Sequence, residues 1–248
     1  MAEGRGGVQS VERTFQLLEL LVDAGGSQGL TQLAASSGLP MPTIHRLMNT
    51  LAGLGYVRRE SSRRYSLGPR LVRIGEMAGR AFGVWARPSL RKLVELTGES
   101  ANLAMLDGDA VVYVAQAPSP HAMRMFTEPG RRVLPHCTGV GKALLAQMPP
   151  EEARAILLRT GMPANTPRTI TDPDTMLAHL VEIRERGYAV DDGEQEIGVR
   201  CVAMPVPSAP GLVAISVSGP HARIAMEDVG RIVPILRQVR VDLEAAMG

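Results

Sequence analysis

The first quarter of the chain alternates apolar and polar positions with a helical period. Val11, Phe15, Leu18 and Val22 recur at intervals of four, three and four, and Leu17 and Leu21 widen the stripe, so a helix is expected over 10–23. Ala24-Gly25-Gly26-Ser27-Gln28-Gly29 breaks it, and Thr31 is placed to cap a second, short helix that ends at Gly38. A third helix begins at Met41-Pro42-Thr43, where proline suits the first turn because its missing amide hydrogen has no helical partner there. Ile44, Leu47, Met48 and Leu51 form its inner face, leaving Thr43, His45, Arg46, Asn49 and Thr50 on or near the outer one. Two short helices around a glycine-containing turn predict a helix-turn-helix.

Beyond Leu54-Gly55, Tyr56-Val57 and Tyr65-Ser66-Leu67 read as two short strands. Arg58-Arg59-Glu60-Ser61-Ser62-Arg63-Arg64 lies between them as a basic hairpin tip, the pattern of a wing. A linking helix is expected from Leu71 to Ala81, with Leu71, Ile74, Met77 and Ala78 on one side. The stripe Leu90, Leu93 and Leu96 follows Pro88. Ala101–Leu106 and Ala110–Ala115 flank the turn Asp107-Gly108-Asp109 as a hairpin, and a further strand is expected at Ala122–Phe126. Residues 129–141 read as a loop leading into a helix at Lys142–Gln147. Helices follow near Glu151–Leu158 and Pro173–Arg186, then the strand Tyr188–Val190, the acidic loop Asp191–Glu194, strands at Cys201–Val206 and Leu212–Ser218, and a last helix over Met226–Met247. Strands and helices without regular βαβ repetition predict an α+β fold: a winged helix-turn-helix over 8–70, a linker helix over 71–87, and a mixed α/β domain with a largely antiparallel sheet over 88–248.

Composition sharpens this picture. The 248 residues are 45% hydrophobic and 21% charged, which suits folded domains and excludes a disordered or fibrous chain. The N-terminal stretch lacks the apolar core of a signal peptide and no apolar run is long enough for a bilayer, so a cytoplasmic location without membrane contact is expected. Cys137 and Cys201 are too few for a disulfide framework and sit in no zinc pattern, so neither cofactor nor metal is expected. The net charge of +2 is unevenly spread: up to Arg87 there are 11 arginines against 6 acidic residues, which puts the positive charge where a phosphate backbone would be met.

The outer face of the third helix has the chemistry of base readout, since arginine pairs bidentately with guanine and asparagine with adenine in the major groove. Thr31, Pro42, Thr43, His45, Arg46, Asn49 and Thr50 are therefore DNA-binding candidates, and Arg58, Arg63 and Arg64 of the wing are candidates for phosphate or minor-groove contact. In the second half, Gly139 and Gly141 at a helix start let a ligand approach main-chain amides, and Ser216 and Ser218 share one face of a strand. A thiol hydrolase with Cys137 as nucleophile and His136 as base is the alternative. However, neighbours in sequence need not meet in space, and no third orienting group is identifiable.

The ordered segments Leu30–Ala34, Gly38-Leu39-Pro40, Thr43–Leu47, Leu51, Gly55-Tyr56-Val57 and Tyr65–Gly68 resemble the DNA-binding half of IclR-type bacterial transcription regulators. Gly130 through Leu145, Arg186-Gly187-Tyr188 and Ile215–Pro220 resemble the effector-binding half of the same family. The resemblance implies a homodimer or homotetramer on a double-stranded DNA operator. It further implies a repressor of a catabolic operon, controlled by a small organic acid such as glyoxylate or an allantoin-pathway intermediate. By the same resemblance, Gly139, Val140, Asp191, Cys201, Ser216 and Ser218 hold the effector, and no catalytic residue is implied.

Overall fold

The computed structural model describes residues 7–82, 84–125, 127–209 and 211–245. The chain forms two compact units, divided between Ala78 and Gly79. The first contains α1 (Gln9–Asp23), β1 (Ser27–Gly29), α2 (Leu30–Ser37), α3 (Met41–Leu54), β2 (Val57–Arg59), β3 (Arg64–Leu67) and most of α4 (Arg70–Phe82). Leu17, Leu21, Leu33, Ile44, Met48, Leu51, Val57 and Tyr65 make its core. Each such side chain contributes about 1.5–3 kcal/mol by leaving water, so eight of them hold three helices on a small sheet.

Several expectations are corrected here. Leu17 and Leu21 are the buried residues of α1, whereas Val11, Phe15 and Val22 are exposed, because the core needs only a narrow stripe. Thr31 does not cap α2. Leu30 already packs against the core, so the helix starts two residues earlier, with Gly29 as its N-cap, and the Gln32 side chain accepts from the Gly29 amide at 3.1 Å. The glycine-rich break after α1 also supplies a strand: β1 pairs antiparallel with β3, completing a β1-β3-β2 sheet. Gly68 is obligatory, since a Cβ there would lie 2.3 Å from the Gly55 carbonyl oxygen.

The second unit carries α5 (Arg87–Thr97), β4 (Ser100–Asp107), β5 (Ala110–Ala117), β6 (Arg132–Val133), α6 (Gly139–Leu145), α7 (Pro150–Thr160), α8 (Pro173–Arg186), β7 (Ala189–Asp192), β8 (Val199–Pro205), β9 (Val213–Pro220) and α9 (Val229–Ala245). Its six strands are antiparallel throughout, in the order β6-β5-β4-β9-β8-β7. Strand alternation sends Leu103, Val202, Met204, Ile215 and Val217 to the face covered by α5 and α9, and Cys201, Ala203 and Ala214 to the face covered by α6, α7 and α8. Residues 121–125 bend instead of forming a strand, and Phe126 lies outside the described residues, as does Met247 of the expected last helix. The loop read at 129–141 gives up Arg132–Val133 to β6 and its last three residues to α6. The helix starts early because the Thr138 hydroxyl accepts from the Gly141 amide at 3.1 Å, an N-cap the sequence carried openly.

Candidate DNA interface and effector site

In the first unit α3 buries Ile44, Met48 and Leu51 and leaves Pro42, His45, Arg46, Asn49 and Thr50 exposed, with Thr43 half-buried. These six share an outer surface, as the 3.6-residue period requires. Three of their side chains are engaged locally. Asn49 Nδ2 donates to His45 Nδ1 at 3.3 Å and Asn49 Oδ1 accepts from the Tyr65 hydroxyl at 3.4 Å, so the core orients this amide. The Thr50 hydroxyl donates back to the Arg46 carbonyl at 3.0 Å. Thr31 is exposed on α2.

The wing separates its arginines. Arg58, Arg59 and Arg63 are exposed, but the half-buried Arg64 turns inward and donates to the Ser27 carbonyl at 2.5 Å and the Ser27 hydroxyl at 3.2 Å. Arg64 therefore staples β3 to β1, with Nε and one terminal nitrogen committed to Ser27. Arg63 occupies the left-handed region at φ +61°, where the hairpin reverses between Glu60 and Arg64.

In the second unit, register does what sequence spacing could not. Ser100, Ser218, Cys201 and Asp191 pair successively across β4, β9, β8 and β7, forming one transverse row on the face under α6. The adjacent row runs Gln116, Asn102, Ser216, Ala203 and Ala189. Small residues in these rows let α6 lie close to the sheet: a Cβ on Gly139 would come 2.9 Å from Cys201 Sγ, and one on Gly141 would come 2.2 Å from the Pro135 carbonyl oxygen. The amides of Gly139 and Val140 fall in the first turn of α6, where no helical carbonyl precedes them. All six effector candidates named from the sequence are thus brought together.

Polar groups here are largely buried. Ser216 is fully buried; its hydroxyl has the Cys201 thiol as its near polar neighbour and makes no hydrogen bond of good geometry among the described residues, a state that ordinarily costs about 1–3 kcal/mol. Asp191 is 4% exposed, and its Oδ1 accepts from the amides of Glu194 at 2.7 Å and Gln195 at 3.4 Å. Burial pushes its carboxyl up to about 7, against the pull of those amides and of Lys142. Burial, with Asp191 adding to it, pushes the Cys201 thiol up to about 11. Tyr113 is likewise raised by burial, and the nearby Cys201 and Asp191 raise it further.

Four contributors were not singled out from the sequence. Lys142 is fully buried, donates to the Val190 carbonyl at 2.7 Å and pairs with the buried Glu194. Ser100 donates its hydroxyl to the Met125 carbonyl at 2.9 Å and so ties the 121–125 segment to the row. Tyr113 completes the set. The signal for Lys142 was a lone lysine within the apolar run Gly139–Leu145. Glu194, Ser100 and Tyr113 carried no such signal.

The thiol-hydrolase alternative fails on geometry. The Cys137 thiol donates to Gln195 Oε1 at 2.7 Å, while His136 Nε2 donates to the Pro163 carbonyl at 3.1 Å. Burial, then Asp191, pushes Cys137 up to about 12, and burial lowers His136, so neither a thiolate nor a base poised beside it is formed. Among the described residues, no group of histidine, cysteine and acidic side chains could hold a metal, and no helix is long and apolar enough to cross a membrane.

Known proteins match this arrangement along the whole chain. Residues 10–61 match the IclR helix-turn-helix domain and residues 83–244 the C-terminal domain of bacterial transcriptional regulators of the IclR type. The chain is 39% identical over 229 residues to the HTH-type transcriptional regulator BhcR of Paracoccus denitrificans, covering 90% of this chain and 82% of that protein. It is 35% identical over 235 residues to the transcriptional repressor IclR of Escherichia coli, covering 92% and 86%. An IclR homologue from Microbacterium hydrocarbonoxydans, solved with 4-hydroxybenzoate, superposes with a TM-score of 0.82 at 25% identity over 96% of this chain and 98% of the other. With a helix-turn-helix on one unit, a polar cross-strand row on the other and family matches to both, the chain belongs to the IclR family of transcriptional regulators and is not an enzyme.

Proposed function

We propose that this regulator represses a catabolic operon and that a small organic acid bound on the Ser218–Cys201–Asp191 row changes its affinity for the operator. The observation that carries the reading is the fully buried Ser216 hydroxyl without a hydrogen bond of good geometry, next to a row of buried polar groups under the first turn of α6. A buried hydroxyl left short of partners calls for a water or a ligand beside it. A compact carboxylate suits the set: amides of Gly139 and Val140 and the serine hydroxyls as donors, with Asp191 and Cys201 fixing orientation. The 4-hydroxybenzoate complex of the Microbacterium relative and the repressor from Escherichia coli support the effector and the sign of regulation respectively. The small residues of the adjacent row, Ala203 and Ala189, favour an aliphatic acid such as glyoxylate or an allantoin-pathway intermediate.

Arg46 and Asn49 would read base edges and Arg58 and Arg63 would contact phosphates, with Thr31, Pro42, Thr43, His45 and Thr50 around them. Pairing of two copies is supported by the apolar residues that α1 and its N-cap leave outside the core, Val8, Val11, Phe15 and Val22, each more than half exposed. A dimer presents two recognition helices to the two halves of an operator. The test is fluorescence anisotropy on the DNA flanking the gene, at fixed salt, with and without a panel of organic acids and ureides. A shift in operator affinity with one acid supports the reading; unchanged affinity with every compound at saturation overturns it. Phe15→Asp should give monomers by light scattering and a matching loss of operator affinity.

A further inference from the structure

Charges around Asp191 do not balance for an anionic ligand. From α6, Lys142 is the cation, and it is already matched to Glu194 and to the Val190 carbonyl. β8 contributes Cys201, β5 contributes Tyr113 and the segment before α6 contributes Cys137, all of which burial keeps in their neutral forms. The 191–194 loop contributes further carboxyls: Glu194, and Asp192, which is engaged by Arg168 and Arg200. From α8, His179 and Arg186 come near each other and Lys142, and the solvent-exposed Arg131 comes near Tyr113. The buried His136 lies near Lys142 and burial keeps it neutral, and Lys142 is the cation that acts on Asp191. A ligand carboxylate entering beside an ionised Asp191 would place two like charges in a closed, weakly screened site, with Lys142 already paired.

We infer that Asp191 meets the effector as a protonated acid, donating its hydroxyl hydrogen to an oxygen of the bound carboxylate compound, so that where the free carboxyl is ionised each effector bound is accompanied by uptake of a proton from solvent. This rests on the effector reading proposed above. The geometry that favours it is burial and placement: the carboxyl is 4% exposed, the two backbone amides that favour its ionised form both lie on Oδ1 and leave Oδ2 to carry the hydrogen, and its neighbour across β8 is the Ser218 hydroxyl that would share the ligand. Asp191 then becomes a specificity-determining residue. It selects compounds with an acceptor oxygen at that point and rejects those that present a hydrogen-bond donor there. The raised carboxyl places the change near neutral pH.

The sign follows. Free protein loses the Asp191 proton as pH rises through about 7, so binding must restore it and apparent affinity falls above that pH. For glyoxylate, an acid ionised throughout this range, the dissociation constant should rise about tenfold between pH 6 and pH 8 and about tenfold more by pH 9. Titration calorimetry in phosphate and in Tris at pH 8 should differ by the uptake of nearly one proton. Asp191→Asn carries an amide donor without a titrating proton and should lose the pH slope and the buffer dependence, whatever its absolute affinity. Glyoxylate binding with a pH-independent constant and no buffer dependence in the unmodified protein overturns the proton coupling and leaves the effector reading standing. If neither glyoxylate nor any acid of the panel binds at any pH, the effector reading falls, and this inference with it.

Discussion

Lys142→Met removes the fully buried cation that joins α6 to the open edge of the sheet. The wild-type ammonium donates to the Val190 carbonyl and pairs with Glu194, whose other carboxylate oxygen is buried without a partner. Methionine fills the same volume, so the loss is electrostatic: a buried carboxylate without its counter-charge and an edge-strand carbonyl without a donor. Breaking one side of a buried pair costs about 3–5 kcal/mol. For a domain of this size each kcal/mol moves the midpoint by about 2–4 °C, so the variant should melt about 6–20 °C lower by calorimetry at pH 8. Burial already raises the Glu194 carboxyl in the wild type, and loss of Lys142 raises it further. A folded-state value above the unfolded one contributes stability at low pH that is lost as pH rises, so the gap between variant and wild type should narrow towards pH 5 and widen towards pH 8. The double variant Lys142→Met, Glu194→Leu should recover much of the loss, because it removes both charges. A single-variant loss below about 1 kcal/mol at pH 8, or a loss that does not change with pH, would refute the assignment of Lys142 as the counter-charge of Glu194.

Other outcomes follow from the DNA-binding unit. Arg46→Ala should weaken operator binding by about 1–3 kcal/mol and relax preference at one base pair, measured by competition with single-base operator variants; equal losses on operator and random DNA would exclude base readout. Arg63→Gly relieves a left-handed residue that costs about 1–2 kcal/mol, offset by glycine's greater chain entropy of about 0.5–1 kcal/mol, so the thermal midpoint should hold or rise slightly. The same variant should bind all DNA sequences more weakly, and the salt dependence should lose about one phosphate contact. Arg64→Ala should instead lower stability while leaving the salt dependence of binding unchanged, since its guanidinium is committed to Ser27.

Most of the first unit was legible because its information is local. The Ile44, Met48 and Leu51 spacing fixes which side of α3 faces the core, Gly55 stops the helix with φ +80°, and two short strands around a basic tip can only form a hairpin. Where reading failed, competition between elements decided. Helix α1 has more apolar residues than the core can cover, and only packing selects Leu17 and Leu21 over Val11, Phe15 and Val22. Arg64 looked like its neighbours until β1 paired with β3 and put Ser27 within its reach.

In the second unit the sequence by itself determined element types, the polar character of Ser216, Ser218 and Asp191, and the need for glycine where α6 begins, since each depends on residues a few positions apart. Tertiary structure alone decided that Ser100, Ser218, Cys201 and Asp191 form one row, because register across four strands brings together residues separated by up to 118 positions. It also decided that Lys142 is buried against Glu194. A lysine's charge is cheap in water and costly inside, so what it does depends on which surface the fold closes over it.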